Sequence, residues 1–524
     1  MSERVAQLAQ ALGAEGVRAL FGIPGSGLSL ELITALERQG VPFYATSHEG
    51  SGVIMAGAYA RRSGTLGCAI SIKGPGLANM LGGLLVNYYE QLPTLSVAEA
   101  FGPAAATSRM HKRLDHESAT RAFTKAYATL GDPRATVATL AGIARAEIPG
   151  PVHLDLFDED AGVSRERVEP DSRAADGEGK WSELRGLLAR SHRPVVIAGA
   201  LAGRRSWGAR LAGLRIPVFT TLAAKGVLDE TMPFAAGVFT GDGLALSPEA
   251  RILPAADLVV GLGLRNLEVL SAKPFACELA IVDVVAGHTA DGFAPSCLWR
   301  VGVDESFHDV LEALSGKEWG CEQVLEATAG VRRHLLAGED WLPGVLYRQL
   351  EQELPAIGCL VVDTGYFCTV AEHVWRARSA AAFLCSANGR SMGTALPSAI
   401  AAALAVRTAP TVCVVGDGGA AMYAADLKLA VAESLPVLFL LLSDGRYGSV
   451  ADATSVVGAS RRATTIARPS WFRAVEALDC PAEQVKDEAA FVTALRRWDW
   501  RSGPLFLEAG FDAERYATML RGVR

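Results

Sequence analysis

The chain has 524 residues, a formal net charge of −7 and 20% charged residues. That length exceeds what one hydrophobic core supports and asks for roughly three domains. Half of the residues are hydrophobic, ordinary for a soluble globular protein; no run is basic enough for nucleic acid, and the longest apolar runs, such as LPVLFLLL, are too short to span a bilayer.

In chain order, VAQLAQALGAEG reads as a helix and VRALFGIPG as a strand ending in a Gly/Pro turn. LSLELITALERQG (helix), VPFYATS (strand), GVIMAGAYARRSG (helix) and LGCAISIKGPG (strand) continue the alternation, and LPTLSVAEA and GPVHLDLF extend it. This order predicts a parallel sheet with helices on both faces. From about Val163 to Lys180 the composition turns charged and turn-rich, which reads as a linker. A second block carries RPVVIAGA, IPVFTTLAAKG, ADLVVGLGLR and LAIVDVVAG; the stretch around Ser315–Asp340 reads as a connector. A last block, from near Trp341, carries GCLVVDTG, TVCVVGDGG, LPVLFLLLSDG and GPLFLEAG. The expected fold is therefore α/β, with three domains each built on a mostly parallel sheet flanked by helices. The nine cysteines form no CxxC pair and read as buried thiols of a reducing compartment. With an N-terminus that lacks an apolar signal core, they point to the cytoplasm.

The segment from Gly416 to Gly448 carries the strongest chemical signal. TVCVV is a buried strand, the chain turns on Gly416, Gly418 and Gly419, and a helix and the strand PVLFLLL follow. One strand–helix–strand unit places Asp417 and Asp444 at the same sheet edge, where open α/β sheets bind ligands. Two carboxylates suit Mg²⁺, which takes few protein oxygens and completes its shell with phosphate; Arg446 is a candidate to add a backbone carbonyl. The glycines let backbone N–H groups approach a diphosphate at a helix start.

These residues resemble the signature of the thiamine-diphosphate-dependent enzymes that include acetolactate synthase and benzoylformate decarboxylase. SHEGSGVIMAGAYARRSG (47–64) is similar to the family's His-Glu segment, SIKGPGLANMLGGLLVNYYEQLP (71–93) to its Gly-Pro-Gly loop, and SMGTALPSAIAAALA (391–405) to the segment under the cofactor. The resemblance implies thiamine diphosphate and Mg²⁺ as cofactors. It implies a pyrimidine-binding domain over residues 1–163, a middle domain over 181–314 and a diphosphate- and metal-binding domain over 341–524. Glu49 corresponds to the glutamate that hydrogen-bonds the aminopyrimidine and promotes deprotonation at C2. Asp417, Asp444 and Arg446 correspond to the metal ligands. Gly365, Tyr366, Met392, Gly416, Gly418, Gly419 and Tyr447 are the expected cofactor contacts, with Met392 as the bulky residue that bends the cofactor. The family places its cofactor between two subunits, which implies a homodimer or homotetramer.

Departures from the family bear on substrate and metal. Where the family has Asn-Asn after GDG, this chain has Ser443-Asp444, a carboxylate in place of an amide. Lys73 stands where a small residue is usual, His111-Lys112-Arg113 replaces Phe-Gln-Glu, and Arg390 precedes Met392 by two. If Lys73, His111, Lys112 and Arg390 face one cavity, they suit a 2-oxo acid with an extra anionic group. GLG in the middle domain is followed by Asn266-Leu267-Glu268 rather than Asp-Asp-Arg, so FAD is not the expectation there. The implied reaction is decarboxylation of a 2-oxo acid. The enamine left on the cofactor is transferred to an acceptor carbonyl, as in acetolactate synthase, or protonated to an aldehyde. The lack of a His-His pair near the active-site loops tilts this toward carboligation. Besides an oxidase or transferase that uses bound FAD, two alternatives stand beside it. One is a simple decarboxylase of a phosphono-, sulfo- or dicarboxylic 2-oxo acid. The other is a non-catalytic relative kept for binding or regulation, favoured by Ser443-Asp444 and opposed by the retained Glu49.

Overall fold

The computed structural model describes residues 2–523 except 103–104, 106–107, 109, 158–165, 169–177, 286–288, 303, 337–340, 452–457 and 459. Most of the expected linker between Val163 and Lys180 lies outside the described residues.

Apolar runs of β-branched and leucine residues form the middles of three sheets, because strands covered by helices on both faces have no polar side. The first sheet runs Phe43–Ala45, Leu20–Gly22, Gly67–Ser71, Thr94–Glu99, Pro151–Leu156, Ala126–Thr129, Glu166–Val168. All its pairs are parallel except the last. The second runs Ala235–Val238, Val218–Thr220, Pro194–Ala198, Leu258–Leu262, Glu278–Asp283, Cys297–Arg300, all parallel. The third runs Phe383–Cys385, Cys359–Val362, Thr411–Gly416, Val437–Ser443, Leu505–Gly510, Ala482–Val485, again all parallel. Each has the doubly wound arrangement that the strand–helix alternation predicts.

Much of the segment expected as a connector is instead a helix, Cys321–Leu336, which buries Val324, Ala327, Val331 and Leu335. Those four share one helical face, and the polar residues between them hide the stripe from a composition reading.

The helix Glu49–Ser63 joins the first and third sheets. It is buried from Glu49 through Ala58 and packs on the helices Pro75–Tyr89 and Ala395–Ala405. Small residues permit this close approach: a Cβ on Gly83 would overlap the carbonyl of Gly50 and lie 2.7 Å from the Cβ of Val53. Met55 and Leu84 are fully buried in the shared core, each contributing about 1.5–3 kcal/mol. The turn ahead of Glu49 is thereby held against the third domain, where the Ser47 N–H donates to Asp426 Oδ1 at 2.6 Å.

Candidate active site

Strands Thr411–Gly416 and Val437–Ser443 are neighbours, with Gly416 opposite Leu442. Asp417 and Asp444 therefore leave the same C-terminal edge. Cys359–Val362 flanks Thr411–Gly416 on the other side and delivers Asp363 to that edge.

Asp417 is buried. Its Oδ1 accepts from Ser443 Oγ (2.9 Å) and Trp471 Nε1 (3.1 Å), and its Oδ2 accepts from the Gly445 N–H (2.9 Å). A carboxylate offers about four lone-pair sites, so one on Oδ2 stays open to a cation. Asp444 is half-buried. Burial pushes its carboxyl above the usual range and the Asp417 charge adds to this, against the bond from the Arg446 N–H at 3.0 Å. Two acids that repel in one desolvated place fit a divalent cation that prefers oxygen. The Arg446 side chain is exposed, so its expected part falls to the backbone. Arg468 braces the same turn, donating from Nε to Ser443 Oγ (3.1 Å) and from Nη2 to the Ser443 carbonyl (2.9 Å).

The glycines of this turn are required by contact. A Cβ on Gly418 would lie 2.6 Å from Cε1 of Tyr447 and 3.1 Å from Sδ of Met392. On Gly419 it would overlap Asp363 Oδ2. Asp363 is fully buried, accepts from the N–H groups of Gly393 (2.9 Å) and Ala395 (3.4 Å), and is pushed up to about 6 by burial. It ties the GDG turn to the Met392 segment. Gly365 precedes the helix Tyr366–Val374, and the Tyr366 ring lies 3.3 Å from where a Cβ of Gly448 would stand. Gly416 sits against the Phe367 ring. The expected cofactor contacts thus share one edge. Asp363, Arg468 and Trp471 were missed from sequence; only Asp363, at a strand end in VVDTG, carried a local signal.

Glu49 opens its helix behind the N-cap His48, whose Nδ1 accepts from the Gly50 N–H at 3.0 Å. It is 8% exposed. Its Oε2 accepts from Asn79 Nδ2 at 3.0 Å, while Oε1 has no hydrogen-bond partner among the described residues. Within the chain, no hydrogen bond among the described residues joins Glu49 to Met392, Asp417 or Asp444.

Two of the four basic residues expected to face one cavity are paired with carboxylates inside the protein. Lys73 Nζ pairs with Glu99 Oε2 at 3.0 Å, and Arg390 Nη1 with Glu372 Oε1 at 2.6 Å. Lys112 sits at φ 59° with its carbonyl against Gly74, and His111 is exposed. The carboxylates that neutralise Lys73 and Arg390 come from the strand Thr94–Glu99 and the helix Tyr366–Val374, invisible in the local sequence.

Family models match all three units. A thiamine pyrophosphate enzyme N-terminal TPP binding domain matches residues 4–141, the central domain 182–290 and the C-terminal TPP binding domain 363–509. This chain belongs to the thiamine-diphosphate-dependent enzymes. It is 25% identical to a probable 2-ketoarginine decarboxylase of Pseudomonas aeruginosa over 96% of this chain and 92% of that protein. It is 24% identical to the acetolactate synthase isozyme 2 large subunit of Escherichia coli, over 96% and 94%. It is 25% identical to a probable acetolactate synthase large subunit of Methanocaldococcus jannaschii, over 84% and 80%. Its activity is of the 2-oxo acid decarboxylase or acetolactate synthase type, and its cofactor is thiamine diphosphate. No helix among the described residues is long and apolar enough to cross a membrane.

The middle domain of this thiamine enzyme fits a flavin poorly. At the C-terminal edge of its sheet, Arg265 is buried and holds Asp283 in two bonds of 2.8 and 2.7 Å and Glu147 at 2.9 Å. Burial of Glu147 is outweighed by Arg204 and Arg265, which hold its carboxyl low. Glu268 accepts from the Ala200 N–H (2.8 Å) and Thr221 Oγ1 (2.7 Å), just beyond the first strand of that sheet. A dinucleotide's phosphates seek such donors; here the protein's own carboxylates already hold them.

Proposed function

We propose that this thiamine enzyme decarboxylates a 2-oxo acid and passes the remaining fragment to an acceptor carbonyl, giving a hydroxyketone. The observation that carries this reading is the buried Glu49 carboxylate with one oxygen bonded to Asn79 and the other open. Thiamine diphosphate, when bound, supplies a carbon nucleophile and an electron sink for loss of CO₂. Glu49, with Oε2 held by Asn79, would offer Oε1 to a ring N–H of the cofactor and would hold the proton that its activation exchanges. Asp417 and Asp444, with the Arg446 carbonyl, would hold Mg²⁺, which would neutralise the charge of the diphosphate. Met392 and Tyr447 cover the GDG turn, and Gly365, Tyr366, Gly416, Gly418 and Gly419 keep the edge open to it. Because Glu49 has its partners on its own domain, a second copy completes the site, making the working unit a homodimer or homotetramer.

Fragment transfer is favoured over protonation because His116 has both ring nitrogens engaged and His111 is exposed. With Lys73 and Arg390 neutralised inside the protein, an extra anionic group on the substrate is supported by Lys112 and His111 alone. A panel of 2-oxo acids settles the substrate: pyruvate-like, dicarboxylic, phosphono-, sulfo- and the guanidino acid derived from arginine, each scored for CO₂ and for aldehyde or hydroxyketone. For the mechanism, Glu49→Gln should slow C2–H exchange of bound thiamine diphosphate by roughly 10²–10⁴ while cofactor binding persists. Equal exchange rates in the two proteins would remove Glu49 from this role.

A further inference from the structure

A buried polar cluster lies within the first domain, and none of the chemistry above uses it. Ser96, Tyr127, His153 and Asp155 come from three neighbouring strands, and His116 opens the short helix His116–Thr120. All five are buried. Asp155 Oδ1 is 2.6 Å from His116 Nδ1 and 3.1 Å from His153 Nε2, and Asp155 Oδ2 accepts from the Tyr127 hydroxyl at 2.6 Å. Ser96 Oγ stands 2.7 Å from His153 Nδ1. The remaining nitrogen, His116 Nε2, accepts from the Gly74 N–H at 3.1 Å.

The tautomers follow from that last bond. A backbone N–H can only donate, so His116 Nε2 presents a lone pair and Nδ1 carries the proton toward Asp155. Burial alone would raise the Asp155 carboxyl; the bonds from His116 and His153 outweigh it and hold the group well below its usual range. Two histidines and an aspartate with ligand atoms within 4.8 Å also have the makings of a metal site. Against this, both imidazoles aim at the same carboxylate oxygen, and no side-chain atom of the five is left buried without a partner. The cluster closes as hydrogen bonds alone.

What it grips is the turn that starts a functional helix. Gly74 is the N-cap of Pro75–Tyr89 at φ 67°, and any Cβ there would overlap the carbonyl of Lys112. The turn is clamped on one side by Lys112 and on the other by His116. Just beyond the first turn of that helix, Asn79 Nδ2 donates to Glu49 Oε2 at 3.0 Å. Farther along, Gly83 packs on the Gly50 carbonyl. We propose that the Asp155–His116 pair is a positioning relay for Glu49: by holding the Gly74 N–H it sets the start of the helix, and through Asn79 it sets the carboxylate. His116 touches neither substrate nor cofactor in this role. The inference rests on the reading of Glu49 given above.

Two measurements separate the relay from that reading. The first needs no cofactor. Nitrogen-15 spectra of histidine-labelled protein should show His116 protonated at Nδ1, and the Gly74 amide should be protected from hydrogen exchange. His116→Phe should lose that protection and His116→Gln, whose amide oxygen can accept the same N–H, should keep it. The second uses bound thiamine diphosphate: His116→Phe should slow C2–H exchange by about tenfold with the cofactor Kd changed less than about threefold, and His116→Gln should restore the rate. A protected Gly74 in the Phe variant overturns the relay, as does an unchanged exchange rate there. Stoichiometric zinc in the purified protein, lost on His116→Phe, overturns it in favour of a metal site. If Glu49→Gln leaves C2–H exchange unchanged, the role of Glu49 fails and the relay to it fails too, while the Gly74 protection still reports whether the clamp exists.

Discussion

Replacing Gly419 by alanine sets two physical rules against each other. Gly419 lies in the first turn of the helix Asp417–Tyr423, where helix propensity alone favours alanine by about 0.5–1 kcal/mol. The added Cβ, however, would overlap Oδ2 of Asp363 and lie 3.1 Å from its Cγ and 3.1 Å from Cγ2 of Val415. Neither neighbour is a free side-chain end. Val415 is in the core of the third sheet, and Asp363 is fixed by the Gly393 and Ala395 N–H groups. Overpacking costs about 1–3 kcal/mol, and weakening a hydrogen bond to a charged group costs a further 1.5–3 kcal/mol or so. The net expectation is a loss of about 2–5 kcal/mol. Urea unfolding of the cofactor-free protein, followed by tryptophan fluorescence, measures it. Coupling is the sharper readout: Gly419→Ala with Asp363→Ser should destabilise less than the two changes summed, because the second removes the obstacle to the first. A Gly419→Ala protein as stable as the original, or more so, would refute the collision argument.

Burial raises the Asp363 carboxyl from its ordinary 3.8 to about 6, so the folded state binds that proton more tightly than the unfolded one. Its share of stability is fully present below the ordinary value and is lost as pH rises through about 6; thermal unfolding of metal-free protein against pH should slope downward there, and less so in Asp363→Asn. Arg265→Ala leaves Asp283 buried without its cation and Glu147 with Arg204 alone, and should cost about 3–5 kcal/mol in urea unfolding. Trp471→Phe removes a donor to Asp417 Oδ1 and should lower the stability of the metal-free protein by about 1.5–3 kcal/mol, with a smaller effect once Mg²⁺ and cofactor are bound. Purified protein should show no visible flavin absorbance, and added FAD should not shift its melting temperature, since Glu268 already takes the Ala200 and Thr221 donors.

Interior strands were legible because burial on both faces imposes unbroken apolar runs, as in TVCVVG and VLFLLLS. The two edge strands of the third sheet were not. Phe383–Cys385 is three residues long, and Ala482–Val485 buries only its last residue; a half-exposed strand of that length leaves no pattern distinct from a loop. The partners of the charges were hidden for a related reason. Lys73 and Arg390 stood out as cations, but Glu99 and Glu372, which neutralise them, arrive from separate elements of the fold.

The sequence by itself determined the doubly wound strand–helix alternation, the GDG turn with its second acid, and the His-Glu helix start. All of these are written in short contiguous stretches, where backbone geometry and spacing act locally. Tertiary structure alone decided what each charged group faces: Asp363 against Gly419, Trp471 and Arg468 around the metal turn, carboxylates across the middle domain's edge, and His116 beneath Gly74. Those partners lie far apart along the chain. Hydrogen bonds and ion pairs take effect only within a few ångströms, a separation that folding sets and residue order does not.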